Sequence, residues 1–241
     1  IKVSVGNGES GKGGALDVTA GDTTDDTVGG SISVVSGSAT GTTTSEGGAL
    51  FVAAGGAKKN TGGAIDVNSG ASIDTSSGSI KIKTANAGTA GASGMLVFSS
   101  GTSTSGNSGS VMMGSGSAVG GRSGAVALTV GSGDSGAGGY LRFESGRSDD
   151  VTGGAVTMES GEGSSSSSGS IKIKTANAGA GGASGRLVFS SGKSLVGNSG
   201  SIYVGTGVGV SGKGGAIKVS VGNGESGKGG ALDVTAGDTT D

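Results

Sequence analysis

The amino-acid sequence predicts an all-β protein, a single-chain parallel β-solenoid of about sixteen coils with about 15–16 residues per coil around a thin core. Three observations carry that expectation. Glycine recurs at a nearly constant spacing along all 241 residues, apolar side chains alternate within each repeat, and proline is absent.

The anchor of each repeat is a glycine, found at 14, 30, 48, 63, 78, 94, 109, 124, 139, 154, 169, 185, 200, 215 and 230. Residues 1–13 fit as one more repeat whose anchor lies just before Ile1. The second residue after the anchor is apolar in every repeat, as at Leu16, Ile32, Ile80, Leu96, Leu141, Ile171, Leu187 and Ile217. So is the fourth, as at Val18, Val34, Ile82, Phe98, Phe143, Ile173, Phe189 and Val219. A period of two within the repeat is the pattern of a strand with one buried face. These sixteen side chains are the expected core ladder. The sixth residue is always Ala, Ser, Thr or Val, and the seventh is Gly except at Ala85 and Ala176.

The remainder of each repeat, such as Asn7 to Gly13, is poor in large side chains and has to bring the chain back for the next strand. Glycine there supplies positive φ and allows two walls to approach closely. On this reading each coil faces its apolar strand toward a Gly/Ser/Ala-rich wall, and coils stack in register about 4.8 Å apart. The lack of proline fits, because an interior coil needs every N–H for its ladder. Handedness does not follow from the pattern. The solenoid is expected to run through residues 1–241 as one continuous domain.

Two longer duplications overlie the short repeat. Residues 1–25 and 217–241 are identical, and residues 78–101 recur with few changes at 169–192. The sequence therefore reads as one 216-residue repeat plus the first 25 residues of the next copy, opening mid-pattern at Ile1-Lys2-Val3. That arrangement leads to the expectation of an extended array or a head-to-tail polymer, with other copies of the chain as its partner.

Composition excludes several classes of function. The 59 glycines are far above the usual share, yet 32% of residues are hydrophobic, more than a simple flexible linker carries. A net charge of −2 gives no general attraction to nucleic acid or anionic lipid. No apolar run approaches the roughly 18 residues of a membrane span. With neither histidine nor cysteine, the usual acid–base, triad and thiolate-metal chemistries have no residues to work with. No catalytic residue, cofactor or metal site is expected. Asp22, Asp25 and Asp26, with Asp149 and Asp150, are the strongest oxygen-ligand candidates, but the fixed Asp column of calcium-binding repeats is missing. The stretch Gly8 to Gly13 resembles a phosphate loop until Gly13 stands where the P-loop pattern needs Ser or Thr. A regular outward threonine array, which would favour ice binding, is absent.

The outward positions carry the charges and a few apolar side chains. Lys2 with Asp17, Asp66 with Lys81, Lys218 with Asp233 and Glu159 with Lys174 are expected to form exposed cross-strand pairs, each contributing about 0.2–1 kcal/mol. Lys81 and Lys83, and Lys172 and Lys174, are candidates for contact with an anionic polysaccharide. Phe51, Val97, Met112, Val188 and Tyr203 form an outward apolar stripe and are the candidate lateral contacts between rods.

The segments SGSIKIKTANAG (77–88 and 168–179), GNSGS (106–110 and 197–201) and GGALDVTAGDTT (13–24 and 229–240) resemble the Gly/Ser/Thr-rich repetitive proteins of diatoms and related stramenopile algae. The resemblance covers the whole chain and implies secreted or cell-surface material. Two functions remain open on the residues. One is a structural fibre, an extracellular filament, sheath or wall component assembled by backbone pairing. The other is an adhesive or polysaccharide-binding module that displays lysine rows and apolar stripes.

Overall fold

The repeated anchor glycine has a direct steric origin. In the computed structural model, which describes residues 1–9, 11–25, 27–41 and 45–237, each anchor backbone passes against the sixth residue of the preceding repeat. A Cβ added at any of the fifteen anchors would lie within 3.5 Å of that side chain. At Gly30 it would meet the Ala20 Cβ at 3.1 Å and the Gly21 backbone nitrogen at 3.1 Å. Real Cβ contacts are rarely so tight, so the anchor must be glycine and the sixth residue must be small.

This contact closes a loop. The Gly30 N–H donates to the Gly21 carbonyl at 2.9 Å, and the same bond joins Gly48 to Gly37 and Gly63 to Gly55. Seven such bonds link an anchor N–H to the seventh-position carbonyl before it. A hydroxyl at the sixth residue can also bond across the neck: Ser145 Oγ donates to the Gly154 carbonyl at 2.8 Å, beside the anchor bond there, and Thr206 Oγ1 to that of Gly215 at 3.3 Å. The bonded pairs are 8 residues apart at Gly55–Gly63 and 11 at Gly37–Gly48, so the extra residues of a long repeat are taken up beyond the neck.

The chain bends once per repeat, at the tenth to thirteenth residue after the anchor, wherever that tip is among the described residues. Two chemistries serve the ninth residue, where the loop folds onto itself. A hydroxyl can hold it: Ser72 Oγ accepts the Thr75 N–H at 3.0 Å, and Ser148 Oγ accepts the Val151 N–H at 3.1 Å. Glycine can instead admit backbone: a Cβ at Gly163 would lie 2.5 Å from the Ser167 carbonyl oxygen. From the neck to the next seventh residue the chain runs without a bend.

The solenoid expected from the sequence is corrected by this arrangement. Among the described residues there is no helix and no strand, so the fold is one of low regular structure and not an all-β stack with a thin core. The backbone makes nine hydrogen bonds to itself there, whereas folded domains make roughly one hydrogen bond per residue. The physical reason lies in the neck. Residues seven to fourteen, expected to supply a second wall for the core, are used in closing a local loop. At seven of the fifteen anchors the N–H is bonded within that loop and does not reach a neighbouring coil. Two apolar side chains per repeat, with no second wall, cannot build an interior. Among the described residues no side chain is buried, and no helix is long and apolar enough to cross a membrane.

The chain divides into two units, Ile1–Ala125 and Val126–Asp241. The first holds five of the neck hydrogen bonds, at Gly14, Gly30, Gly48, Gly63 and Gly78. The second holds those at Gly154 and Gly169. The repeat is therefore the structural element in both, and each repeat is stabilised mainly by contacts with its sequence neighbours.

The neck is open to a direct test. Gly30→Ala should speed exchange of the Gly30 amide by about fivefold, the equivalent of one hydrogen bond worth about 1 kcal/mol. Gly21→Ala, where a Cβ meets nothing within 4 Å, should leave that rate unchanged. Amide hydrogen exchange by NMR on the monomer reads both. Equal rates in the two variants would show that the anchor contact does not hold the loop.

Candidate self-association surface

Each unbent segment presents two features together. Its second and fourth residues place apolar side chains on one face, because residues two apart in an extended chain point the same way. Its backbone N–H and C=O groups have no partner in a ladder. The expected core-ladder residues stand on that face but remain open to solvent, from 47% exposed at Leu96 and Leu187 to 69% at Val219. The isolated chain therefore leaves both its apolar groups and its backbone pairing capacity in water.

Successive segments do approach near the neck. In Val126–Asp241 a crevice of about 220 Å³ is lined by Phe143, Val156, Thr157 and Met158. Phe143 is the fourth residue of one repeat, and Val156 and Met158 are the second and fourth of the next. The same neck that prevents a common core brings the apolar faces of neighbouring repeats to the two sides of one opening.

The opposite face has its own apolar members. The expected lateral contacts Phe51, Met112 and Tyr203 are about nine-tenths exposed, and Val97 and Val188 about two-thirds. Met95 and Tyr140, at the first position after their anchors, join this outward set with exposures of 85% and 86%. The third position alone does not include them. Reading every odd position for large apolar residues finds both. With Leu96 and Phe98 behind them, Met95 and Val97 make the segment 95–98 apolar on both faces.

The charged groups are distributed differently from the expected ladder. Among the described residues the ion pairs are Arg142 with Glu144, and Arg147 with Asp149 at 2.6 Å, both exposed. Each joins residues two apart within a single repeat. The cross-strand pairs Lys2–Asp17, Asp66–Lys81, Lys218–Asp233 and Glu159–Lys174 do not form, because without stacked coils nothing holds those side chains within reach. Lys81, Lys83, Lys172 and Lys174 are exposed and have no ion-pair partner among the described residues.

The other sequence candidates do not gather into a site. Asp22 and Asp25 lie exposed on one loop, where the Asp25 N–H donates to Thr23 Oγ1 at 3.2 Å; Asp26 lies outside the described residues. Asp149 is engaged by Arg147, with Asp150 exposed beside it. No group of three or more acidic side chains able to hold a metal ion forms among the described residues. In the Gly8 loop, the carbonyl oxygens of Gly11 and Lys12 would both lie 2.7 Å from a Cβ at Gly8. That loop turns acceptors inward, the reverse of the N–H cradle that a phosphate needs.

Compared with family models, curated proteins and solved structures, the chain matches none.

An apolar dye reports on the open face directly. The monomer should enhance the fluorescence of an environment-sensitive naphthalene sulfonate dye. Phe143→Ser with Met158→Ser should remove part of that signal, since each lost apolar side chain forfeits about 1.5–3 kcal/mol of contact. Lys81→Ser with Lys83→Ser should not lower it by a comparable amount. Equal losses would locate the dye on charges and not on the apolar face.

Proposed function

We propose that this chain is a structural, self-assembling protein, a component of an extracellular or cell-surface filament, sheath or wall fibre. Copies associate side by side and end to end through their unbent segments. One observation carries this reading: unpaired backbone and an exposed apolar face occur on the same segment, repeat after repeat. An extended chain with free N–H and C=O groups is a template for pairing. Another copy offers a matching spacing of donors, acceptors and apolar side chains. Pairing removes both from water at once, and no proline interrupts the series. The Gly/Ser/Thr-rich motifs and the exposed outward side chains Phe51, Val97, Met112, Val188 and Tyr203 support the same conclusion. The cell-surface setting follows from the resemblance of those motifs alone.

A second reading has its own observation. Lys81, Lys83, Lys172 and Lys174, exposed and without an ion pair among the described residues, fit an adhesive module that contacts an anionic polysaccharide. Salt-sensitive retention on such a polymer by a chain that stays monomeric would favour this reading over the fibre.

Electron microscopy with fibre diffraction on concentrated protein tests the proposal. The expected result is long filaments with a spacing near 4.8 Å between paired chains. Leu96→Glu together with Leu187→Glu should raise the concentration needed for assembly by at least about tenfold, because each buried leucine is worth about 1.5–3 kcal/mol. A chain that remains monomeric at every concentration would overturn the proposal.

A further inference from the structure

The charges of this chain are segregated along its length. Residues 75–133 contain Lys81, Lys83 and Arg122 and no acidic residue. Residues 134–162 hold six acidic side chains, Asp134, Glu144, Asp149, Asp150, Glu159 and Glu162, against Arg142 and Arg147, for a net −4. Residues 163–224 then hold Lys172, Lys174, Arg186, Lys193, Lys213 and Lys218 with no acid, for a net +6. Residues 1–74, with eight acidic and four basic side chains, are net −4, and residues 225–241, with four acidic and one basic, are net −3. The overall −2 is the sum of alternating blocks of opposite sign.

The fold leaves the two strongest blocks free to act outward. Every one of the fourteen charged side chains just named in 134–162 and 163–224 is exposed. Glu144 and Asp149 are engaged by arginines of their own block, and none of the six basic residues in 163–224 takes part in an ion pair among the described residues. The acidic block is not neutralised by the basic block that follows it in the same chain.

We propose that copies of this chain associate side by side with an offset that sets the acidic block 134–162 of one copy against the basic block 163–224 of its neighbour. This rests on the self-assembly reading and adds to it a register and a partner surface. Paired chains run about 5 Å apart, or about 10 Å where faces pack, close to the roughly 8 Å screening length at physiological salt. Block charge therefore acts across the contact. Equal register would lay six unpaired cations on six others and acid on acid, and like charges placed opposite each other oppose pairing. An offset pairing replaces both repulsions with attraction. The apolar second and fourth positions permit it, because a shift by whole repeats returns the same apolar pattern. The apolar face thus provides adhesion at any whole-repeat shift, and the charge blocks choose among the shifts.

The test uses the full chain in three forms: wild type, a basic-block variant with all six basic residues of 163–224 changed to Glu, and a double swap. The double swap adds Asp134→Lys, Glu144→Lys, Asp149→Lys, Asp150→Lys, Glu159→Lys and Glu162→Lys, so its net charge stays at −2. Light scattering should show that wild-type assembly weakens by at least about tenfold between about 20 mM and 1 M salt. The basic-block variant should lose assembly to a similar degree, and the double swap should regain it. Carbodiimide cross-linking of a mixture of isotope-labelled and unlabelled chains should give inter-chain links from Glu159 or Glu162 to Lys172, Lys174 or Lys193. Assembly that ignores salt and both variants, or links that never join these blocks, would overturn the offset while leaving self-assembly intact. Failure of all three forms to assemble at any salt would overturn self-assembly itself. Heparin binding by wild type, lost in the basic-block variant, with no recovery of assembly in the double swap, would assign the basic block to a polyanion and overturn the inference.

Discussion

The close passage of each anchor glycine over the small sixth residue before it is the constraint on which the rest of the structure depends. At Gly30 the space for a Cβ is already taken by Ala20 and the Gly21 backbone, and the Gly30 N–H is turned toward the Gly21 carbonyl. Once that neck is closed, eight or more residues are committed to a loop. Length can vary between the two bonded glycines without disturbing the neck, as the 11-residue separation of Gly37 and Gly48 shows beside the 8 of Gly55 and Gly63.

The neck also determines what is left unpaired. A loop closed on itself supplies no second wall, so the apolar pair of each repeat has nothing of its own chain to rest on beyond a shallow approach such as that of Phe143 to Val156 and Met158. Water can satisfy the unbent backbone, so the isolated chain carries no large penalty for unmade hydrogen bonds. Exposed apolar area is the larger cost, and it recurs at every repeat. A molecule with this balance gains most by meeting another with the same spacing, and its charge blocks then favour some spacings over others.

Much of the repeat was legible in the residues. The anchor series, the apolar second and fourth positions and the restricted sixth position are all plain in the sequence, and each has a counterpart in the structure: neck, open face and neck contact. The bends were legible only as glycine-bearing corners of a second wall, and the closing of that segment on its own neck was not. The pairing of repeats was misread. A period of two describes which way side chains point in an extended segment, and it is the same whether the segment lies in a ladder or stands alone. The charge pairs inferred across coils, such as Lys2 with Asp17, failed with the stacking that would have brought them together. Met95 and Tyr140 stand at the first position and not the third, although their size and odd register are plain in the sequence.

The sequence by itself determined the repeat length, the face on which the apolar side chains stand, the need for glycine at the anchors and the absence of histidine and cysteine chemistry. Those are local properties, set by side-chain volume, backbone freedom and alternation over a few residues. Tertiary structure decided where the anchor N–H finds its partner, the seventh-position carbonyl at seven of the fifteen anchors, and therefore whether a repeat pairs with a neighbour about fifteen residues away or closes on itself. Both choices satisfy the same local pattern, and only the competition between a nearby carbonyl and a more distant one separates them. Here the nearer carbonyl wins, because closing a short loop costs less entropy than ordering a longer one.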